Sequence, residues 1–380
     1  MRRALKICFL GGYRPYNLRG LRGGGGPNAV SAPLIDAFAK MDLNSIRMIV
    51  LSTPFRELGV PVLRPRKLIL SENVEVRYIP LLNPLSVIIE LAKCDLVHIF
   101  ALEPQNIIIA LLSKILRKKT ITTSHGYPPI ERSIRPKGLK FRIYNILIRK
   151  IIELSDVVTT VSYILRSVLV QVLSIPKALL NKFVVIHNGT DITPILMNKD
   201  EDQLKILSVL GRNYLNKGLL VILEALNNLT PSIKKRILFI LIGDIPQNLL
   251  RKIPHGTKLI RLRKVPHEKL AELYTKAHVI LQPSFFESFN LPALEAAGRG
   301  CIPIIITRIG VAEIFENEKN AFIVKPGDPE SIAKILTLYA TNNDLREKMS
   351  KEAYKISLNY TYDKVAKKYL SLYLSILKKD

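Results

Sequence analysis

Short, nearly unbroken apolar runs alternate along this chain with longer stretches whose apolar residues return every three or four positions. The short runs have the length and β-branched content of strands buried on both faces; the longer ones have the period of amphipathic helices. In the first half, ALKICFL predicts a strand and NAVSAPLIDAFAKMD a helix. IRMIVLS, VEVRYIP and DLVHIF are then strands, NIIIALLSKILRKK a helix, and TITTSHG a strand end. A basic helix around Leu139 to Leu154 precedes two more buried strands, DVVTTVS and FVVIHNGTD. The second half restarts the pattern, with LKILSVLGR, RILFILIGD, KLIRLRKVP, AHVILQPS, CIPIIIT and AFIVKP as strands. Strands separated by helices in this rhythm imply parallel α/β sheets.

At 380 residues the chain exceeds what one core usually organises. The polar stretch MNKDEDQ separates the two series, so the first domain is expected over residues 1–196 and the second over 197–360. The expected fold class is α/β, with two doubly wound, Rossmann-like domains facing across a cleft and ligands outside the carboxyl ends of the strands. The acids Asp200 and Asp202 read as solvated linker charge, although their spacing is that of a D-x-D metal site.

Composition adds a strong charge. The chain carries 57 Lys and Arg against 31 Asp and Glu, net +26; residues 1–190 hold 28 of the bases and 11 of the acids. Such a field favours nucleotides, anionic lipid head groups or nucleic acid, unless it reflects only a Lys- and Ile-rich composition. No helix-turn-helix, zinc or aromatic RNA-binding signature occurs and Trp is absent, so nucleic acid is not an expected partner. Cys8, Cys94 and Cys301 are widely spaced in apolar contexts and read as buried thiols, without a disulfide framework. No apolar run is long enough to span a membrane, and the opening residues lack a secretory core; a cytoplasmic location is expected.

Candidate chemistry lies at the predicted strand ends. Gly23 to Gly26 precede Pro27 and a helix, which lets backbone approach an anion, but the spacing fits neither G-x-G-x-x-G nor a Walker loop. His125 closes TTSHG, placed to enter a cleft or else to sit satisfied in a loop; the other histidines have no metal-ligand spacing. In LGRNYLNKG, Arg212 and Lys217 share one strand-to-helix corner. A guanidinium fork and an ammonium there suit a diphosphate, and an ordinary basic turn is the plainer reading. In FFESFNLPALEAAGRG, Pro292 suits the first turn of a helix. That puts Glu287 in the loop and Glu295 near the helix start. Two acids at such a corner suit hydroxyl groups of a sugar or ribose.

In this order along nearly the whole chain, the glycine loop, TTSHG, TTVS, VIHNGTD, LGRNYLNKG, PSFFESFNLPALEAAGRGCIPII, TRIGVAEI and FIVKPGDPESIA resemble glycosyltransferase family 4. That family comprises retaining transferases with the GT-B fold, and the E-x7-E spacing of Glu287 and Glu295 is the most specific feature shared with it. The resemblance implies a nucleotide-sugar donor, no cofactor and no metal. It implies that Gly24, Gly25 and Gly26 approach the donor phosphates, that His125 lies by the transferred sugar, and that Arg212 and Lys217 hold and stabilise the leaving diphosphate. By the same token Glu287 would contact the sugar and Glu295 the ribose, Phe289, Asn290 and Leu291 would offer backbone groups, and Lys264 and Val265 would border the base. The family often has Gly where this chain has Asn290; Asn tolerates left-handed angles, so the loop keeps its shape while sugar preference is opened. The apolar-striped segment 361–380 would cross back to the first domain, as the terminal helix does in the family.

The first domain would bind the acceptor, a glycan or a lipid-linked molecule. Between Ser113 and Lys150 lie eleven Lys and Arg, with Glu131 as the sole acid. KGLKFRIYNILIRKIIEL mixes bases with apolar residues at helical spacing, which suits either peripheral attachment to the anionic inner face of the cell membrane or a solvated basic face beside a core stripe. A GT-B sugar phosphorylase, a nucleotide-sugar epimerase, an inactive relative and a non-catalytic nucleic-acid-binding protein are the competing readings.

Overall fold

The computed structural model of the chain describes residues 4–13, 27–43, 46–52, 66–79, 84–131, 138–192 and 203–378. They gather into two compact units. The first holds the described residues of Met1–Tyr127 and Arg135–Gly189 together with those of Tyr362–Asp380; the second holds the short helix Pro128–Glu131 and the described residues of Thr190–Thr361.

The first unit is built on β1 (Leu5–Leu10), β2 (Ile46–Ser52), β3 (Arg66–Ile69), β4 (Val74–Tyr78), β5 (Leu96–Ile99), β6 (Lys119–Ser124), β7 (Val157–Thr160) and β8 (Phe183–Val185). They form one sheet in the order β3-β4-β2-β1-β5-β6-β7-β8. Every pairing is parallel except β3 with β4, which is antiparallel. The sequence reading expected no strand at β3. Its residues are mostly exposed, so no apolar run marks it; the β4 ladder and an ion pair from Lys67 to Glu75 hold it at the edge. Ile7, Cys8, Phe9 and Val97 of the central strands are fully buried, as strands covered on both faces must be.

His98 is the polar exception in that core. Its Nδ1 meets the Tyr373 hydroxyl and its Nε2 the Thr123 hydroxyl, each at 2.7 Å. Burial lowers its pKa to about 3, so the imidazole stays neutral and both ring nitrogens are satisfied. Tyr373 lies on the terminal helix Tyr362–Leu377, which packs against the helix Pro27–Lys40. The network thus fastens the end of the chain to the centre of the first sheet. All three cysteines are free and buried.

The second unit is built on β9 (Leu204–Gly211), β10 (Ile237–Gly243), β11 (Lys258–Leu262), β12 (Val279–Gln282), β13 (Ile302–Ile306) and β14 (Phe322–Val324), in the order β11-β10-β9-β12-β13-β14. All its pairings are parallel. The chain runs outward from β9 to β11, then crosses to the other side of β9 with β12. The carboxyl ends of β9 and β12 therefore flank a topological switch point, where loops diverge and leave a crevice.

Candidate active site

At the end of β9, Gly211 takes a left-handed backbone (φ 60°), and Arg212 follows it exposed to solvent, with no ion pair among the described residues. The chain then turns, Lys217 N–H donating to the Asn213 carbonyl at 3.0 Å. Gly218 (φ 80°) opens the helix Leu219–Asn227. A Cβ at Gly218 would lie 2.2 Å from the Pro283 carbonyl oxygen, so the loops after β9 and β12 meet backbone to backbone. The Lys217 ammonium reaches across this junction to Glu287 Oε1 at 3.4 Å.

Glu287, in the loop after β12, is held from three sides. Ser284 donates its hydroxyl to Oε1 at 2.7 Å, Lys217 approaches the same oxygen, and Gly310 N–H donates to the Glu287 carbonyl at 3.1 Å. Phe289 is buried, and its carbonyl accepts from Val311 N–H at 2.7 Å. Asn290 is left-handed (φ 82°, ψ 69°), and its Oδ1 caps Ala293 N–H at 3.1 Å. Gly at this position would supply the angle alone; Asn supplies the angle and the cap. The helix Leu291–Ala297 follows with Leu291 half-buried and Pro292 in its first turn. Glu287 is thus a loop residue and Glu295 a helix residue.

Glu295 accepts from the Tyr274 hydroxyl at 3.2 Å and faces His267 Nε2 at 3.5 Å. Its carboxylate raises the His267 pKa above the ordinary value, against the opposing effect of burial. His267 was not a candidate from sequence; its only signal was its place at the start of a helix just beyond Val265. Val265 itself packs against the buried cluster that includes Leu207, Ile240 and Tyr274, while Lys264 is exposed.

His125 follows β6 in the first unit. Its ring meets Phe100 edge-on at 4.4 Å, and both nitrogens are buried, with the Phe100 backbone as the nearest polar neighbour rather than a well-formed hydrogen-bond partner. Burial lowers its pKa to about 3, leaving a neutral imidazole able to donate at one nitrogen and accept at the other. Gly24, Gly25 and Gly26 lie outside the described residues.

Glu131 also belongs here, and sequence reasoning gave it no role. The Asn213 and Asn216 side-chain amides each donate to its carbonyl at 2.9 Å, and Ser288 N–H donates to its Oε1 at 3.3 Å. Burial and the neighbouring Glu287 raise its pKa above the usual carboxyl range, against the hydrogen bonds from Ser288 and the weaker pull of Lys217. Among the described residues, no group of three or more His, Cys, Asp or Glu could hold a metal ion.

Two family models match in tandem: Glycosyltransferase Family 4 over residues 26–193 and Glycosyl transferases group 1 over residues 197–356. An uncharacterized glycosyltransferase of Methanocaldococcus jannaschii is 26% identical over 181 residues, which is 46% of this chain and 45% of that relative, so the match spans just under half of the relative's length. The N-acetyl-alpha-D-glucosaminyl L-malate synthase of Bacillus anthracis is 25% identical over 75% of this chain and 76% of its own length. Among solved structures, Anabaena HepE in complex with UDP and glucose superposes with a TM-score of 0.65 at 17% identity, covering 98% of this chain and 99% of that one. With two family models spanning most of its length and a fold shared with GT-B enzymes, the chain belongs to glycosyltransferase family 4.

Proposed function

We propose that the protein is a retaining glycosyltransferase that moves a sugar from a nucleotide-sugar donor to a glycan or lipid-linked acceptor without an obligatory metal. The observation that carries this reading is the Lys217–Glu287 pair at the β9/β12 switch point, with Arg212 exposed at the end of the same strand. HepE, which shares the fold, was solved with UDP and glucose; that supports a donor of the same chemical class here. As the bond between sugar and diphosphate breaks, negative charge grows on the diphosphate and positive charge on the sugar ring. Lys217 and Arg212 stabilise the first, and Glu287 holds hydroxyls of the second. Retention of configuration is then a same-face attack by the acceptor, with the leaving phosphate helping to take its proton. Purified protein offered UDP-, ADP- and GDP-sugars is expected to hydrolyse or transfer one of them in the presence of EDTA. Glu287→Ala and Arg212→Ala lower that activity by about a hundredfold or more. Tight nucleic-acid binding with no nucleotide-sugar binding would sink the proposal.

The acceptor side of the reading includes an anionic membrane surface. The helices Ile107–Ile115 and Leu139–Leu154 pack on one another. Ile108, Leu111 and Ile115 of the first and Leu139, Ile143 and Ile146 of the second are exposed at helical spacing, with exposed Lys114, Arg117, Lys140 and Arg142 among them. Apolar side chains that can sit among acyl chains, flanked by cations, suit peripheral attachment. No helix among the described residues is long and apolar enough to cross a membrane. In flotation, the protein is expected to rise with phosphatidylglycerol-containing vesicles and to be released by salt. Equal binding to neutral vesicles, or none to either, would remove the membrane from the account.

A further inference from the structure

Glu131 is a costly residue in its position. Burial, and after it the nearby charge of Glu287, disfavour its ionised form, while hydrogen bonds from Ser288 favour it. Part of its anchorage is independent of the side chain. The contacts that tie the helix Pro128–Glu131 to the loop after β9 are the two Asn amides on the Glu131 carbonyl, which any residue would offer. What the side chain adds is a carboxyl laid on the loop 284–290, the loop that also presents Glu287 and Asn290. Ser288 engages that carboxyl through its N–H at 3.3 Å and through its side chain, which still leaves some of its roughly four lone-pair directions open. Nearby in the chain, Asn290 is 3% exposed, and its Nδ2 is buried with no acceptor among the described residues. A buried amide donor without a protein acceptor marks a place where a ligand oxygen belongs.

We propose that Glu131 is a specificity-determining residue of the donor pocket, accepting a hydroxyl of the transferred sugar next to the hydroxyls held by Glu287. The inference rests on the donor reading above. It adds a contact from the first half of the sequence to a pocket otherwise built from the second.

The test is calorimetric titration of the full chain with UDP, ADP and GDP and with UDP-glucose, UDP-N-acetylglucosamine, ADP-glucose and GDP-mannose. The wild type selects one base, and Glu131→Gln and Glu131→Ala are then compared on that diphosphate and its sugar. The amide oxygen of Glu131→Gln still accepts from Ser288 N–H, so the loop keeps its support while the carboxylate is gone. The diphosphate alone is expected to bind Glu131→Gln within about twofold of wild type, whereas its sugar conjugate binds about tenfold more weakly, the loss of one hydrogen bond to a charged group. Glu131→Ala, checked for folding by circular dichroism, shows at least the same change in the ratio of the two constants. An unchanged ratio in both variants, or equal losses for diphosphate and conjugate, would overturn the proposal. If wild type binds none of the diphosphates or conjugates, the donor reading itself falls, a result distinct from an unchanged ratio.

Discussion

Replacing Lys217 with alanine is expected to lower kcat by about 10²- to 10³-fold, which is the scale of removing one fixed donor aimed at charge that develops in the transition state, about 2.7–4 kcal/mol. The ammonium lies in a half-buried corner at the end of β9, 3.4 Å from Glu287 Oε1. In the resting protein it neutralises that carboxylate; in the proposed reaction it faces a diphosphate gaining charge. Because the interaction grows as the bond breaks, the loss falls on kcat more than on KM. Stability changes little, since Glu287 keeps the Ser284 hydroxyl and its carbonyl keeps Gly310 N–H. Lys217→Arg retains charge but presents a planar fork instead of a point charge, and recovers only part of the rate. Steady-state kinetics on the donor identified by titration, with a melting curve for each variant, are the measurement. A kcat for Lys217→Ala within about threefold of wild type would remove Lys217 from the stabilisation of the leaving group.

The residues of this corner were legible because each announces itself locally. Proline is favoured in the first turn of a helix, so the loop and helix assignments of Glu287 and Glu295 follow from Pro292, and the structure places it there. Asn290 could be read as left-handed because Asn is one of the few residues that tolerates it, and its φ is 82°. Contacts made across the fold were not legible. Glu131 and Ser288 stand 157 positions apart, and His98 and Tyr373 stand 275 apart. In the sequence Glu131 is one acid among eleven bases, and His98 one histidine in an apolar run. Only the sheet order, and the course of the chain after His125, gives either a partner. The edge strand β3 was missed for a different reason: it buries almost nothing, so no apolar pattern records it. Sequence thus displays what depends on backbone angle and burial, and conceals what depends on which loops the topology brings together.

The junction that presents Lys217 rests on a single hydrogen atom, and Gly218→Ala is expected to damage stability and activity together. Two costs add. An L-residue at φ 80° loses about 1–2 kcal/mol relative to glycine. The new methyl would also fall 2.2 Å from the Pro283 carbonyl oxygen, a backbone atom at the start of the Glu287 loop, and relieving such overpacking costs about 1–3 kcal/mol more. Together these give a loss of about 2–5 kcal/mol in denaturant unfolding. Gly211→Ala separates the terms, because that residue is also left-handed (φ 60°) but has nothing within 4 Å of its Cβ position. It should show the angular cost alone, about 1–2 kcal/mol. Relief of the clash must push the loops after β9 and β12 apart, which draws Lys217 from Glu287; a misplacement of about 1 Å at a reacting centre costs about a hundredfold in rate. Gly218→Ala should therefore fall well below Gly211→Ala in turnover as well as in stability. If the two variants unfold at the same denaturant concentration, the loops after β9 and β12 do not meet at Gly218, and the placement of Lys217 against Glu287 must have another support.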